Sequence, residues 1–159
     1  VTARVLLVTG SRSLVSRGDW VGIRDWVYDA IQGAASRYGV ETIVCGDAAG
    51  PDAWALECAY YELGIRSACY RAQDGEVWIT SPVGDAAAGR WITADELARI
   101  EPAKRPLARN SVMVRHVQSK DPKAIVLGFV DPMSRTQGTD HTLRNAKERG
   151  LVCTRLVAE

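Results

Sequence analysis

The sequence predicts an α/β fold: a Rossmann-like, mostly parallel five-stranded sheet with helices on both faces and a loop and short-helix insertion. Three observations carry this. Short apolar runs end at glycine, as strands buried on both faces do. Between them, apolar residues recur with the 3.6-residue period of an amphipathic helix. The two patterns alternate along the chain, which implies parallel strands joined by helical crossovers.

The first strand is expected over Arg4-Val5-Leu6-Leu7-Val8-Thr9, ending at Gly10. Asp19 is positioned to cap a helix with Trp20, Ile23, Val27, Ile31 and Ala34 in line, stopped by Gly39. A second strand follows at Thr42-Ile43-Val44-Cys45 and ends at Gly46. Pro51 suits the first turn of the next helix, with Ala55, Ala59 and Leu63 on one side and Gly64 as terminator. Arg66–Tyr70 reads as the third strand. Residues 73–106 break the rhythm with Gly75, Pro82, Gly84, Gly89, Pro102 and Pro106, and read as an insertion or flap. Within it, Thr93 and Glu96 form a capping box ahead of Leu97 and Ile100. Trp-Ile-Thr occurs at 78–80 and 91–93, too little for a repeat. Pro106 opens a helix carrying Val112, Met113 and Val117. Ala124–Val130 is the clearest strand, Thr139 is placed to cap a final helix with Leu143 and Ala146, and Val152–Leu156 is the last strand.

Length fits this plan. The 159 residues suit a single domain spanning 1–159, since domains cluster at roughly 100–150 residues. Twenty Lys and Arg against nineteen Asp and Glu leave a formal charge of +1, which argues against a protein that coats a polyanion. No apolar run approaches the roughly 20 residues of a membrane span, and no signal peptide is read. Cys45, Cys58, Cys69 and Cys153 form no CxxC pair, and His116 and His141 lie near none of them, so metal-site spacing is absent. Cys45, Cys69 and Cys153 sit in apolar stretches as small buried hydrophobes, the usage of a reduced, cytoplasmic protein. No cofactor is expected.

In an open parallel sheet, ligands bind beyond the carboxyl ends of the strands where strand order reverses. Three such ends carry glycine-bearing loops: Thr9-Gly10-Ser11-Arg12-Ser13, Gly46-Asp47-Ala48-Ala49-Gly50-Pro51-Asp52, and the run from Asp131 to Thr139. Glycine lets the backbone approach a ligand. A following helix offers unpaired N–H groups and the positive end of its dipole, which suit phosphate. Gly138 and Thr139 fit this best, Ser11 and Arg12 add a hydroxyl and a forked guanidinium, and Arg109 and Asn110 point toward the same crevice. Plainer readings stand beside these. Asp47 or Asp52 suits a helix cap, Asp140 complements a helix dipole, and His141 and Arg135 suit solvated surface positions.

Val8-Thr9-Gly10-Ser11-Arg12, Cys45-Gly46-Asp47-Ala48-Ala49-Gly50-Pro51-Asp52, Arg109-Asn110 with Met113, and Gly138-Thr139-x-His141 together resemble the YspA-like, YpsA-related branch of the SLOG superfamily. The resemblance runs from about residue 4 to 156 and is poorest over 73–106. It implies a Rossmann-like sheet that binds nucleotides or nucleotide-derived ligands, and often a homodimer. The superfamily includes the Lonely-guy phosphoribohydrolases, which release a base from a nucleoside 5′-monophosphate, sensor domains, and DprA-like DNA-processing proteins. Against the Lonely-guy motifs, Arg109 and Met113 match, Asn110 replaces a lysine, and Gly138-Thr139 matches the end of the glycine loop. Arg135 and Thr136 replace its leading glycines, and Thr142 stands where those enzymes carry a glutamate.

Two functions follow. The first is a binding module or sensor for a nucleotide-type phosphate ligand. Its ligand set is Gly10, Ser11, Arg12, Gly46, Asp47, Gly50, Asp52, Arg109, Asn110, Gly138, Thr139 and His141, with the base stacked on Trp54, Trp78 or Trp91. The second is an N-glycosidase acting on nucleoside 5′-monophosphates. There Arg109 holds phosphate or ribose and Asp47 or Asp52, with Asp140 a weaker choice, supplies the carboxylate that Thr142 cannot. Single-stranded DNA binding is a weaker third reading. It rests on Arg99, Lys104, Arg105, Arg109, Arg115, Lys120 and Lys123, diluted by Asp95, Glu96, Glu101 and Asp121.

Overall fold

The computed structural model describes residues 4–135 and 137–159. Val1–Ala3 of the expected 1–159 domain, and Thr136 of the third loop, lie outside the described residues. The sheet has seven strands: β1 (Val5–Gly10), β2 (Thr42–Gly46), β3 (Arg66–Tyr70), β4 (Glu76–Ser81), β5 (Gly84–Arg90), β6 (Ile125–Val130) and β7 (Val152–Val157). Their order is β5-β4-β3-β2-β1-β6-β7. The five expected strands are all present and run parallel to one another. Two are additional, because the insertion forms an antiparallel hairpin, β4–β5, that extends the sheet from β3.

The hairpin was hidden for a physical reason. β5 reads Gly-Asp-Ala-Ala-Ala-Gly-Arg, without one β-branched or aromatic residue, so its pairing with β4 and not its own propensity makes it a strand. The two Trp-Ile-Thr copies differ in structure: Trp78–Thr80 lies inside β4, whereas Thr93 begins a helix.

The helices are α1 (Trp20–Tyr38), α2 (Pro51–Glu57, continued as a π-helical turn to Leu63), α3 (Ala94–Ala98), α4 (Arg105–Lys120) and α5 (Gln137–Glu148). In α1 the apolar face is Ile23, Val27, Ile31 and Ala35, and Gly39 ends it in the left-handed conformation at φ 66°. Asp19 does not cap α1 with its side chain. Its carboxylate is taken by Arg17, whose Nε and Nη2 donate to Asp19 at 3.1 Å each. Thr93 behaves as expected and accepts from the Glu96 N–H at 3.2 Å. Thr139 does not cap α5: the helix starts earlier, at Gln137, and Thr139 lies in its first turn.

Alternate side chains of each central strand feed two cores. Leu6, Val8, Ile43, Cys45, Leu127 and Phe129 meet α1 and α2, with Trp26 edge-on to Phe129 at a 5.3 Å ring separation. Leu7, Val44, Ala68 and Val126 meet Met113, Val114 and Val117 of α4 and Leu143 and Ala146 of α5. Each fully buried aliphatic or aromatic side chain contributes about 1.5–3 kcal/mol by its removal from water. Burial on both faces explains why these strands read as unbroken apolar runs. Strand order reverses between β1 and β6, which places the switch point at their carboxyl ends. No helix among the described residues is long and apolar enough to cross a membrane.

Candidate functional site

At the switch point the chain closes over itself. The Ser11 N–H donates to the Phe129 carbonyl at 2.9 Å, and the Asp131 N–H donates to Ser11 Oγ at 3.1 Å, so Ser11 ties the end of β1 to the end of β6. Beside this tie lies a half-open cavity of about 500 Å³, within the range of small-molecule sites. The loops after β1, β2 and β3 and the starts of α2, α4 and α5 enclose it.

Most of the expected residues converge here. Gly10, Ser11, Arg12, Asp47, Asp52, Arg109, Asn110, Arg135, Gly138 and Thr139 line the cavity. Arg12 and Arg135 are exposed, whereas Asp52, Arg109, Asn110 and Thr139 are buried. Three others stand elsewhere. Gly46 and Gly50 do not line the cavity, and neither does His141, whose Nε2 lies 3.1 Å from Ser111 Oγ. The tryptophans are also removed from it. Trp54 is buried in the α1–α2 core, Trp91 donates its indole N–H to the Arg71 carbonyl at 2.6 Å, and Trp78 bonds Glu76. Met113 is a core residue, and Thr142 is fully buried with its hydroxyl donating to the Gly138 carbonyl at 2.9 Å.

The two glycines outside the lining shape it. A Cβ on Gly46 would stand 2.5 Å from Arg109 Cζ, so the guanidinium lies directly against the Gly46 backbone. Gly50 adopts φ 81°, and a Cβ there would meet the Ser11 carbonyl at 3.2 Å, so this loop and the β1 loop pack backbone to backbone. Gly10 makes room for the Pro51 ring, which would lie 2.3 Å from an added Cβ.

Arg109 is the central cation. Its Nη1 donates to Asp47 Oδ1 at 2.6 Å and to the Tyr70 carbonyl at 3.4 Å, and its Nε donates to Asn110 Oδ1 at 3.0 Å. Among the described residues Nη2 has no hydrogen-bond partner, which leaves that nitrogen for the cavity. Asp47 Oδ1 also accepts from the Ala72 N–H at 3.1 Å and so joins the loops after β2 and β3. Paired in this way, Asp47 and Arg109 largely cancel, and the positive field at the mouth comes from Arg12, Arg135 and the N-terminus of α5.

Asp52 is different. It is 4% exposed, and Oδ2 accepts one hydrogen bond, from the Ala48 N–H at 3.1 Å. Burial pushes its carboxyl up to about 7, against the pull of Arg109 and the Ala48 N–H and with added repulsion from Asp47. A carboxyl with that titration, in a cleft, is the kind of group that exchanges protons near neutrality. Beneath it the Cys45 thiol donates to the Asp52 carbonyl at 3.5 Å. The hydrogen bond with Cys69, together with burial, pushes the Cys45 thiol well above its usual range. All four cysteines are free, and no cluster suited to a metal ion occurs among the described residues.

Sequence reasoning missed the wall opposite α5. Ala72, Gln73, Ala103, Pro106 and Leu107 line it. Gln73 Nε2 donates to the Pro102 carbonyl at 3.0 Å, while Arg105 Nη1 donates to the backbone carbonyl and side-chain oxygen of Gln73 at 3.3 and 3.4 Å. These bonds join the two ends of the insertion. The glycines and prolines that marked 73–106 as irregular gave no sign that its ends meet at the crevice. No protein-family model and no curated protein matches the chain.

Proposed function

We propose that this crevice binds a nucleotide or a nucleotide-derived phosphate ligand, and that the protein acts as a binding module or sensor. The observation that carries the reading is the convergence at one switch-point cavity of two exposed arginines, a buried arginine and a helix N-terminus. Arg12, Arg135, Arg109 and the Gly138-Thr139 turn of α5 all border the same 500 Å³. Guanidinium groups and unpaired helix N–H groups are the donors that phosphate oxygens take. The wall of Ala72, Ala103, Pro106 and Leu107 offers an apolar surface for a base in place of a tryptophan. The reading agrees with the resemblance to the SLOG superfamily, to which we assign the chain as part of this proposal, along with a homodimeric state.

Thermal unfolding against a panel of nucleoside mono-, di- and triphosphates tests it. A ligand at a hundred times its Kd stabilises the folded state by about 2.7 kcal/mol. A dose-dependent rise in Tm with at least one nucleotide, reduced in Arg12→Ala and Arg135→Ala, is the expected result. No rise with any of them at millimolar concentration overturns the proposal.

A second reading, N-glycosidic hydrolysis of a nucleoside 5′-monophosphate, draws on Asp52. A buried carboxyl that titrates near 7 beside a paired Asp47–Arg109 is suited to general acid–base work. Chromatographic detection of free base, lost in Asp52→Asn, is its test. Turnover unchanged in that variant, or no base released by the unaltered protein, removes it.

A further inference from the structure

We propose that Asp52 binds the ligand as a neutral carboxylic acid, donating a hydrogen bond to one of its anionic oxygens, so that binding takes up a proton. The inference rests on the phosphate-ligand reading above and adds a residue, a protonation state and a linkage to it.

The geometry comes first. Asp52 opens α2 and lines the cavity floor while remaining 96% buried, the complement of its 4% exposure. One carboxyl oxygen, Oδ2, is satisfied by the Ala48 N–H at 3.1 Å. The other, Oδ1, has no hydrogen-bond partner among the described residues. Arg24 Nε is the one fully buried side-chain polar atom there without a partner, so Oδ1 is not sealed from solvent, and Asp52 borders the cavity. An N–H donor therefore fixes one oxygen as an acceptor and leaves the other facing the ligand.

Charge decides what Oδ1 offers. The groups that face Asp52 are Asp47 on the same loop, Cys45 on β2, Arg109 on α4 and Arg12 after β1. β1 itself, Val-Leu-Leu-Val-Thr-Gly, presents no titratable side chain, and the α1 group that meets α2 is Tyr28, which bonds Glu57 at 2.9 Å. Arg109 gives its hydrogen bonds to Asp47, Tyr70 and Asn110 and none to Asp52, so its charge only partly offsets an ionised Asp52 in the wall of an anion site. A phosphate oxygen arriving there repels the carboxylate and attracts the acid. Free Asp52 already titrates near 7, so protonation on binding needs only a further rise of the same sign. Cys45 stays a thiol over the same range, because its hydrogen bond with Cys69 and its burial hold the thiolate off.

The test measures affinity against pH with two probes, adenosine 5′-monophosphate and inorganic sulfate. The second ionisation of a phosphate monoester lies near 6, so the nucleotide is dianionic from pH 7.5 to 9 and adds little slope of its own. Sulfate does not titrate at all in this range. The expected result is an affinity that falls about tenfold per pH unit above pH 8, with roughly one proton taken up per ligand at pH 8. The uptake is read by calorimetry in two buffers of different ionisation enthalpy, on the unaltered protein. Asp52→Asn, whose amide donates at every pH, is expected to bind with a flat pH profile and no uptake, its fold checked by circular dichroism. Binding without pH dependence or proton uptake in the unaltered protein overturns the role of Asp52 and leaves the phosphate site standing. So does loss of binding at pH 6 in a folded Asp52→Asn. No binding of either probe, or of any nucleotide in the panel above, by either protein at any pH overturns both.

Discussion

Gly46→Ala is the substitution that asks most of the site while adding one methyl group. Gly46 ends β2 and is not among the glycines with positive φ, so alanine meets no backbone strain there. Its cost is steric. The new Cβ would stand 2.5, 2.6 and 2.8 Å from Cζ, Nη1 and Nη2 of Arg109. A flexible arginine end would ordinarily swing away, but this one is held by Asp47, Tyr70 and Asn110. Moving it breaks the Asp47 pair. Losing a fully buried ion pair costs about 3–5 kcal/mol, and the Asp47 side chain retains 35% exposure, so about 2 kcal/mol is the better expectation. For a chain of this size that lowers Tm by roughly 4–8 °C. Urea unfolding supplies the free energy, and nucleotide titration of the same sample is expected to show weaker binding, because Arg109 Nη2 moves with the group. A variant within about 0.5 kcal/mol of the unaltered protein, binding equally well, would refute the close packing of Arg109 on the Gly46 backbone.

Three further outcomes are expected. Gly10→Ala drives a methyl into the Pro51 ring at 2.3 Å, and overpacking of this kind costs about 1–3 kcal/mol in urea unfolding. Asp52 has its folded value raised from 3.8 to about 7, so the fold is penalised progressively as pH rises from about 4 to 7 and by a constant amount above. Asp52→Asn is therefore expected to raise stability at pH 8 and to change it little at pH 4, as measured by denaturant titration at both. Thr93→Ala removes the cap on α3 and is expected to cost about 1 kcal/mol, visible as faster amide exchange at Glu96 and Leu97.

The parallel core was legible because burial on both faces leaves no choice of residue: Val5–Val8 and Ile125–Leu127 must be apolar, and β1 and β2 must end in glycine where the Pro51 ring and the Arg109 guanidinium press on Gly10 and Gly46. The hairpin was not legible, since β5 owes its pairing to β4 and carries no strand-forming residue of its own. At the site, residue type identified Arg12, Asp47, Asp52 and Arg109, but not their division of labour. Only distances show that Arg109 is held by Asp47 while Asp52 makes no ion pair among the described residues. Gly46, Gly50 and His141 were grouped with the ligand set because they share motifs and loops with lining residues. A shared motif does not fix where each member faces: Gly46 and Gly50 pack against Arg109 and Ser11 of the lining, and His141 meets Ser111 of α4. Gln73 had no signal, because its position depends on Arg105 and Pro102 returning to it from the far end of the insertion.

The central claim, that the switch-point crevice takes a phosphate-bearing nucleotide, is met most directly by titrating isotope-labelled protein with nucleoside 5′-monophosphates and following backbone amides by NMR. Concentration-dependent shifts are expected at Gly10, Ala48, Ala72, Gly138 and Thr139, with β7 unmoved at Cys153–Arg155. Shifts that gather instead at the hollow of about 420 Å³ between Ile23, Trp26 and Ala158, or no shifts at millimolar nucleotide, would contradict it.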